Sequence, residues 1–184
     1  MEKFNKYVLP FFNVYAYTLM PNHFHYVVQA KSFLSINETL EEYSKQKHGL
    51  YKSMKGKENV ESWVLSKCIS NFCNTYTKNY NKIYGRKGAL FMRPFSRKPV
   101  TDDTHLQDLI KYVHLNPVEA NFCKQPSQWK YSSYNEIIGT RETIVKREEV
   151  IELFFNRENF IFCNTKQVLK IENGPSEDIF DLPF

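Results

Sequence analysis

The hydrophobic pattern near the start of the chain predicts two β-strands. The segments NVYAYTLM (13–20) and HFHYVVQA (23–30) are rich in β-branched and aromatic residues, which favour strands. Pro21 and Asn22 stand between them, and this pair is typical of a tight turn. We therefore expect a β-hairpin whose second strand opens with two histidines.

Apolar residues three and four positions apart predict a long helix over about 64–84. The stripe consists of Leu65, Ile69, Phe72, Tyr76, Tyr80 and Ile83. Gly85 follows the stripe and is expected to end the helix. We expect the tyrosines of this stripe to lie in the core rather than to form a surface for stacking.

A second amphipathic helix is predicted over about 102–115. Its apolar stripe consists of Leu106, Leu109, Ile110 and Val113. Thr101 or Asp102 is the candidate N-cap. Pro117 is expected to end the helix, because the residue before a proline is pushed out of helical geometry.

Weaker patterns complete the prediction. A short helix is expected soon after the hairpin, another near Tyr134, and helical structure over 146–167. The glycine- and arginine-containing segment 85–100 is expected to be a basic loop that leads into a strand.

The composition is that of a globular domain. The chain has 184 residues, of which 42% are hydrophobic and 16% aromatic, enough to bury a core. It contains neither an apolar run of the ~18 residues that a membrane span needs nor a signal-peptide pattern, so we expect a cytoplasmic protein. The four cysteines lack CxxC spacing, and we expect them to be reduced rather than zinc ligands.

The charge is unevenly distributed. Residues 62–101 contain no Asp or Glu but eight Lys and Arg, whereas residues 102–184 are net acidic. Such a separation favours a positive face that binds nucleic acid. The alternative is a basic helix and loop that are simply solvated.

His23 and His25 lie two positions apart in the second strand. Alternate side chains of a strand project to the same side, so both imidazoles should share one face. Two neutral imidazoles can ligate a divalent metal and leave positions open for a third ligand and a substrate. The alternative is a pair of buried or half-exposed histidines with ordinary hydrogen bonds.

Tyr112 and Asn116 are four residues apart on the second helix and therefore lie on one face. If that face meets the histidines, an amide oxygen joins two imidazole nitrogens, with a phenol one turn away. Such a site suits phosphodiester chemistry in which the tyrosine attacks phosphorus. His114 projects to the opposite face and is poorly placed to act as the base for Tyr112.

Four segments, in this order and spacing, resemble the REP-associated tyrosine transposases of the single-tyrosine HUH superfamily. They are AYTLMPNHFHYVVQ, YGRKGALFMRPF, KYVHLNPVEANF and WKYSSYNEIIG. The resemblance covers roughly residues 13–140, so residues 1–140 are interpreted as the catalytic domain. Residues 141–184 are interpreted as a helical extension and tail.

The resemblance implies a fold, a site and an activity. The fold would be α+β and ferredoxin-like, an antiparallel sheet with packed helices. His23, His25 and Asn116 would ligate Mg²⁺ or Mn²⁺, and Tyr112 would be the nucleophile. Family members cleave and rejoin single-stranded DNA at short hairpins through a covalent 5′-phosphotyrosine.

The DNA partner would be held by the basic segment. The predicted phosphate-binding residues are Arg86, Lys87, Arg93, Arg97 and Lys98. Binding through them should weaken strongly with added salt.

The chain also departs from the family. Members usually begin with a further strand and a long helix, whereas only a dozen residues precede the hairpin here. We expect an N-terminally truncated chain, a start at an internal methionine, or a strand supplied by a partner, as in a homodimer. The alternative function is a truncated or domesticated protein that binds hairpin DNA without cleaving it.

Overall fold

The predicted hairpin is present. The structure, a computed structural model, describes residues 2–45, 59–91 and 97–165. In it, β1 (Phe12–Leu19) and β2 (Phe24–Ala30) form a two-stranded antiparallel sheet. The Met20 amide donates to the carbonyl of His23 at 2.8 Å, which closes the turn at Pro21 and Asn22. The described parts of segment 85–100 form no strand.

Helices supply most of the remaining structure, so the fold is α+β. In the described ranges they are α1 (Glu2–Tyr7), α2 (Phe33–Lys45), α3 (Val60–Ile83), α4 (Asp103–Glu119), α5 (Tyr134–Ile138), α6 (Arg147–Leu153) and α7 (Arg157–Thr165). A 3-10 turn lies at Pro126–Gln128. None of these helices is long and apolar enough to cross a membrane.

The chain forms two compact units. The first comprises Met1–Asn13 and Gln29–Phe91, and the second comprises Val14–Val28 and Met92–Phe184. The core of the first unit consists of Phe11, Ile36, Leu40, Val64 and Cys68. In the second unit the largest fully buried side chains include those of Tyr134, Phe154, Phe160, Ile110 and Ile137.

Helix α3 is capped at both ends by its own sequence. Asn59 Oδ1 accepts a hydrogen bond from the Ser62 amide at 3.4 Å, which satisfies one of the free amides of the first turn. At the other end Gly85 has φ +61°, and the Arg86 amide donates to the Asn81 carbonyl at 2.9 Å. Gly85 therefore ends the helix as predicted, in the left-handed conformation that glycine adopts readily.

The apolar stripe of α3 is only partly in the core. Val64 and Cys68 are buried, and Leu65 and Ile69 pack against the core cluster. In contrast, Tyr76 is 44% exposed and Ile83 is 74% exposed. The prediction that the tyrosines of the stripe lie in the core is wrong for Tyr76, and Tyr80 is only half-buried. The reason is that the helix is longer than the core cluster, which covers its first turns.

Helix α4 does not end before Pro117 as predicted. It continues to Glu119, and Asn121 (φ 60°) follows in the left-handed conformation. The Phe122 amide donates to the Pro117 carbonyl at 2.9 Å and the Asn121 amide donates to Val118 at 3.0 Å, the pattern of a Schellman cap. The cap stabilises the last turn of α4. Asn116, the residue before Pro117, therefore stays helical despite the usual preference of such a residue for extended geometry. At the start, Asp102 is the N-cap and accepts from the His105 amide at 2.9 Å.

The described residues after 140 pack into the second unit. The Lys146 amide donates to the Val14 carbonyl of β1 at 2.8 Å, and Tyr15 donates to Glu149 Oε2 at 2.6 Å. Phe160 of α7 lies 5.7 Å from the ring of His114 on α4. Residues 145–165 therefore share a core with the hairpin and α4, and the predicted tail lies outside the described residues.

Candidate functional site

The second unit brings the two histidines together on one side of the hairpin. His23 closes the turn before β2, and His25 is the second residue of β2. Their ring centroids lie 4.8 Å apart at an interplanar angle of 75°. His23 lies one residue before β2 rather than in the strand as predicted, but the two imidazoles still share one side of the hairpin, as the sequence predicts.

Asn116 of α4 reaches His23. Its Oδ1 lies 3.2 Å from His23 Nε2. On the other side of the same ring, Asn22 Oδ1 lies 2.8 Å from His23 Nδ1. A neutral imidazole carries one N–H and can donate to only one of these amide oxygens. If Nδ1 donates to Asn22, the lone pair of Nε2 is directed towards Asn116 Oδ1 on α4.

Tyr112 lies against His25, one turn before Asn116. The two rings have centroids 5.4 Å apart in an edge-to-face arrangement at 71°. Four residues of a helix rise about 6.0 Å, and two residues of a strand about 6.6 Å. The spacing Tyr112–Asn116 on α4 therefore matches the spacing His25–His23 on the hairpin, and each helix residue meets one histidine.

His25 is held in its neutral form. Its side chain is only 2% exposed, and burial, together with the nearby His23, lowers its pKa to about 3. A charged imidazolium is disfavoured where water cannot solvate it. His25 therefore keeps a ring lone pair at neutral pH, as a metal ligand must.

The donor set fits a divalent cation. Imidazole nitrogens suit Zn²⁺, Fe²⁺ and similar transition metals, and amide and water oxygens suit Mg²⁺ and Mn²⁺, so a set of two imidazoles and one amide lies between the two classes. Ligand distances of about 2.1 Å in octahedral geometry place neighbouring donor atoms about 3.0 Å apart. The 3.2 Å between His23 Nε2 and Asn116 Oδ1 is close to that value, so the two atoms could serve as adjacent ligands after a small movement. Within the described ranges no group of three or more His, Cys, Asp or Glu side chains could hold a metal ion.

The other polar residues of α4 have separate partners. His114 is fully buried, with Nε2 2.8 Å from Ser133 Oγ and Nδ1 3.2 Å from Asn164 Oδ1. It anchors α4 to the rest of the unit rather than facing Tyr112. Asp108 pairs with Lys111 at 2.6 Å on the exposed side of the helix.

The predicted phosphate-binding residues fall in different parts of the chain. Arg86 and Lys87 are exposed in the first unit, and Arg97 and Lys98 are exposed in the second. Arg93 lies outside the described residues.

Two contributions to the site were missed by sequence reasoning. Asn22 was interpreted only as a turn residue, although it also orients His23. Its position directly before the first histidine was the available signal. The partners of His114, which fix α4, lie 19 and 50 residues away along the chain, and no local pattern points to them.

A comparison of the chain with protein families, with curated proteins and with solved structures gives no match. The functional interpretation therefore depends on the geometry of this site and on the four segments quoted above.

Proposed function

We propose that the protein is a metal-dependent endonuclease and strand-transferase of the transposase class that acts on single-stranded or hairpin DNA. One observation carries the proposal: Tyr112 lies against His25 while Asn116, one turn later, contacts His23. This juxtaposition is the one that the resemblance to the HUH transposases implies. The same resemblance supports the proposal of a ferredoxin-like HUH domain.

His23, His25 and Asn116 would hold Mg²⁺ or Mn²⁺. When bound, the cation would supply positive charge that neutralises and orients the scissile phosphate. Burial of His25 and the two amides around His23 keep these donors in place, and fixed donors lose little freedom when they bind.

Tyr112 would be the nucleophile. Its phenolic oxygen attacks phosphorus, the bond from phosphorus to the 3′-oxygen breaks, and the phenolic proton is transferred to that oxygen. The products are a 5′-phosphotyrosine and a free 3′-hydroxyl. Because the new ester retains the energy of the broken bond, a 3′-hydroxyl can reverse the step and join strands without ATP.

Basic residues would bind the DNA backbone. Arg86, Lys87, Arg93, Arg97 and Lys98 would contact phosphates, and no carboxylate occurs between residues 62 and 101 to oppose them. Each contact releases counterions, so affinity should fall steeply as salt rises.

The test is a covalent adduct. The protein is incubated with Mn²⁺ and a library of DNA hairpins with randomised stems and single-stranded flanks, labelled at the 3′ end, and run on a denaturing gel. The label should migrate with the protein, because the tyrosine keeps the 5′-phosphate of the downstream fragment. A 5′ label should instead appear on a shortened free strand.

Tyr112→Phe should abolish the adduct and leave DNA binding intact. Tyr131→Phe, which changes an exposed tyrosine of the same unit, is the matched control and should form the adduct normally. Absence of an adduct in the wild type, with binding retained, would support the non-catalytic hairpin-binding protein. Cleavage without an adduct would indicate a hydrolase that uses water.

A further inference from the structure

Three tyrosines form a row over the C-terminal half of α3 and its C-cap residue, and the first and last of them are exposed. We call Tyr76, Tyr80 and Tyr84 the tyrosine ladder. The centroids of Tyr76 and Tyr80 lie 6.3 Å apart with a 26° interplanar angle, and those of Tyr80 and Tyr84 lie 4.4 Å apart. Tyr76 is 44% exposed and Tyr84 is 64% exposed, so ring surface remains available at both ends of the row.

The ladder is anchored at its inner end. Tyr76 contacts Phe72 at a centroid distance of 6.4 Å, and Phe72 packs edge-to-face on the buried Phe4 at 5.5 Å. Phe91 lies 6.1 Å from Tyr76 on another side. The exposed rings are therefore the continuation of a packed aromatic row, and little side-chain entropy remains to be lost when they bind a ligand.

The charge around the ladder is positive. The Arg86 guanidinium lies 5.7 Å from the centroid of Tyr80, and Lys87 follows it. Lys78 and Lys82 project to the opposite face by helical geometry, so among the described residues Arg86 is the cation with a recorded contact to this surface. No Asp or Glu occurs from residue 62 to residue 101, so an anionic ligand meets no opposing charge from this stretch.

We propose that the tyrosine ladder is a stacking platform for unpaired DNA bases, with Arg86 binding the adjacent phosphate. Exposed aromatic rings beside a cation are the combination that recognises single strands without reading their sequence. A duplex is a poorer ligand, because its bases already stack on one another. The inference takes the identity of the nucleic acid from the proposed function, but it requires neither a metal nor Tyr112.

The experiment measures fluorescence anisotropy of labelled oligonucleotides in EDTA, with the full chain carrying Tyr112→Phe. The probes are oligothymidine of about 12 nucleotides, within the usual site size of single-strand binders, an abasic strand of the same length, and a blunt duplex. Tyr76→Ala and Tyr84→Ala are compared with Tyr131→Ala, an exposed tyrosine outside the ladder. Circular dichroism checks that each variant is folded.

Each ladder variant should bind oligothymidine at least about fivefold more weakly, the lower end of what one stacked base contributes. Their affinity for the abasic strand should not change, since it has phosphates but no bases. Tyr84→Trp should retain affinity for oligothymidine, because the indole ring still stacks. Tyr131→Ala should bind all probes normally.

Three results would overturn the ladder as a base-stacking platform. They are unchanged oligothymidine binding in both alanine variants, an equal loss on the abasic strand or the duplex, and no oligothymidine binding by the parent chain. The adduct assay is read separately. If the wild type forms an adduct but the ladder variants bind oligothymidine normally, only the stacking proposal is rejected. If the ladder variants bind oligothymidine more weakly but no adduct forms, only the catalytic proposal is rejected.

Discussion

Asn116 Oδ1 lies 3.2 Å from Nε2 of His23, although the two residues are 93 positions apart in the chain. The contact joins the last turns of α4 to the turn that precedes β2. It also places an amide oxygen beside an imidazole nitrogen, two atoms that can either share a hydrogen bond or ligate the same cation. The first prediction separates these two roles.

Asn116→Ala should weaken Mn²⁺ binding by at least about tenfold, since even residues that only orient metal ligands contribute that much. Asn116→Asp should retain or strengthen Mn²⁺ binding, because a carboxylate replaces the amide oxygen with a charged donor. Isothermal titration with Mn²⁺ measures both. A purely structural hydrogen bond would make both variants bind Mn²⁺ as the wild type does.

Asp108→Asn is the matched control for this series. Asp108 lies on α4 one turn before Tyr112 and pairs with Lys111 on the exposed side. Removing its charge should leave Mn²⁺ affinity unchanged. An equal loss in Asp108→Asn would show that the cation responds to the overall charge of the helix rather than to Asn116.

The buried His114 should make stability depend on pH. Burial lowers its pKa to about 4 from an ordinary value of 6.5, against a weaker opposing effect of Asn164. Between these values the unfolded chain binds more protons, so the free energy of unfolding falls as pH decreases from about 6.5 to about 4, by on the order of 3 kcal/mol in total. Above pH 6.5 this contribution is constant.

Urea denaturation at several pH values measures this dependence. In His114→Gln the decrease of stability with falling pH should be shallower, although His25 still contributes its own share. Val150→Ala, a buried apolar change in the same unit, should lower stability at every pH and keep the wild-type slope. A wild-type slope in His114→Gln would contradict the prediction.

The cap after α4 predicts a response to substitution at Asn121. This residue has φ 60°, a conformation that costs a residue with a Cβ atom about 1 kcal/mol or more. Asn121→Ala should therefore lower the midpoint of urea unfolding, since alanine tolerates this conformation less well than asparagine. Asn121→Gly should raise or preserve the midpoint. The reverse order of the two variants would show that the cap does not hold the helix end.

Helix α7 should be indispensable to the second unit. Phe160 is fully buried and packs on His114, Tyr134 and Phe154. Phe160→Ala should destabilise the protein by about 3–5 kcal/mol. Phe155→Ala changes a phenylalanine that is 85% exposed and should alter stability by no more than about 0.5 kcal/mol. Similar small effects in both variants would mean that residues 157–165 are a separate appendage.

Much of the candidate site could be predicted from local sequence. The hairpin and the shared face of Tyr112 and Asn116 follow from turn chemistry and helix periodicity, and the strand pattern predicts the shared side of His23 and His25, although β2 begins only at Phe24. Which helix face meets which strand face does not follow from periodicity. That depends on distant contacts such as His114 with Ser133 and Asn164.

The two wrong predictions, about the end of α4 and the burial of the α3 tyrosines, also arise because local sequence does not specify distant contacts. Pro117 was expected to end α4, but bonds from Asn121 and Phe122 stabilise a further turn. The tyrosines of α3 were expected to be buried because their spacing is that of a core stripe. Spacing places side chains on one face of a helix, but only the tertiary neighbours decide whether that face is covered.

The burial of His25 has a consequence for proton competition. A free imidazole is half protonated near pH 6.5, so an ordinary histidine site loses cations as a solution becomes mildly acidic. If His25 is a metal ligand as proposed, its pKa, lowered to about 3, means that it would release no proton on binding a cation at pH 5 or 6. Folding itself keeps the His25 imidazole deprotonated, and the energetic cost is included in the folding free energy. A fall in pH to 5 or 6 would therefore not make protons compete with a cation at His25.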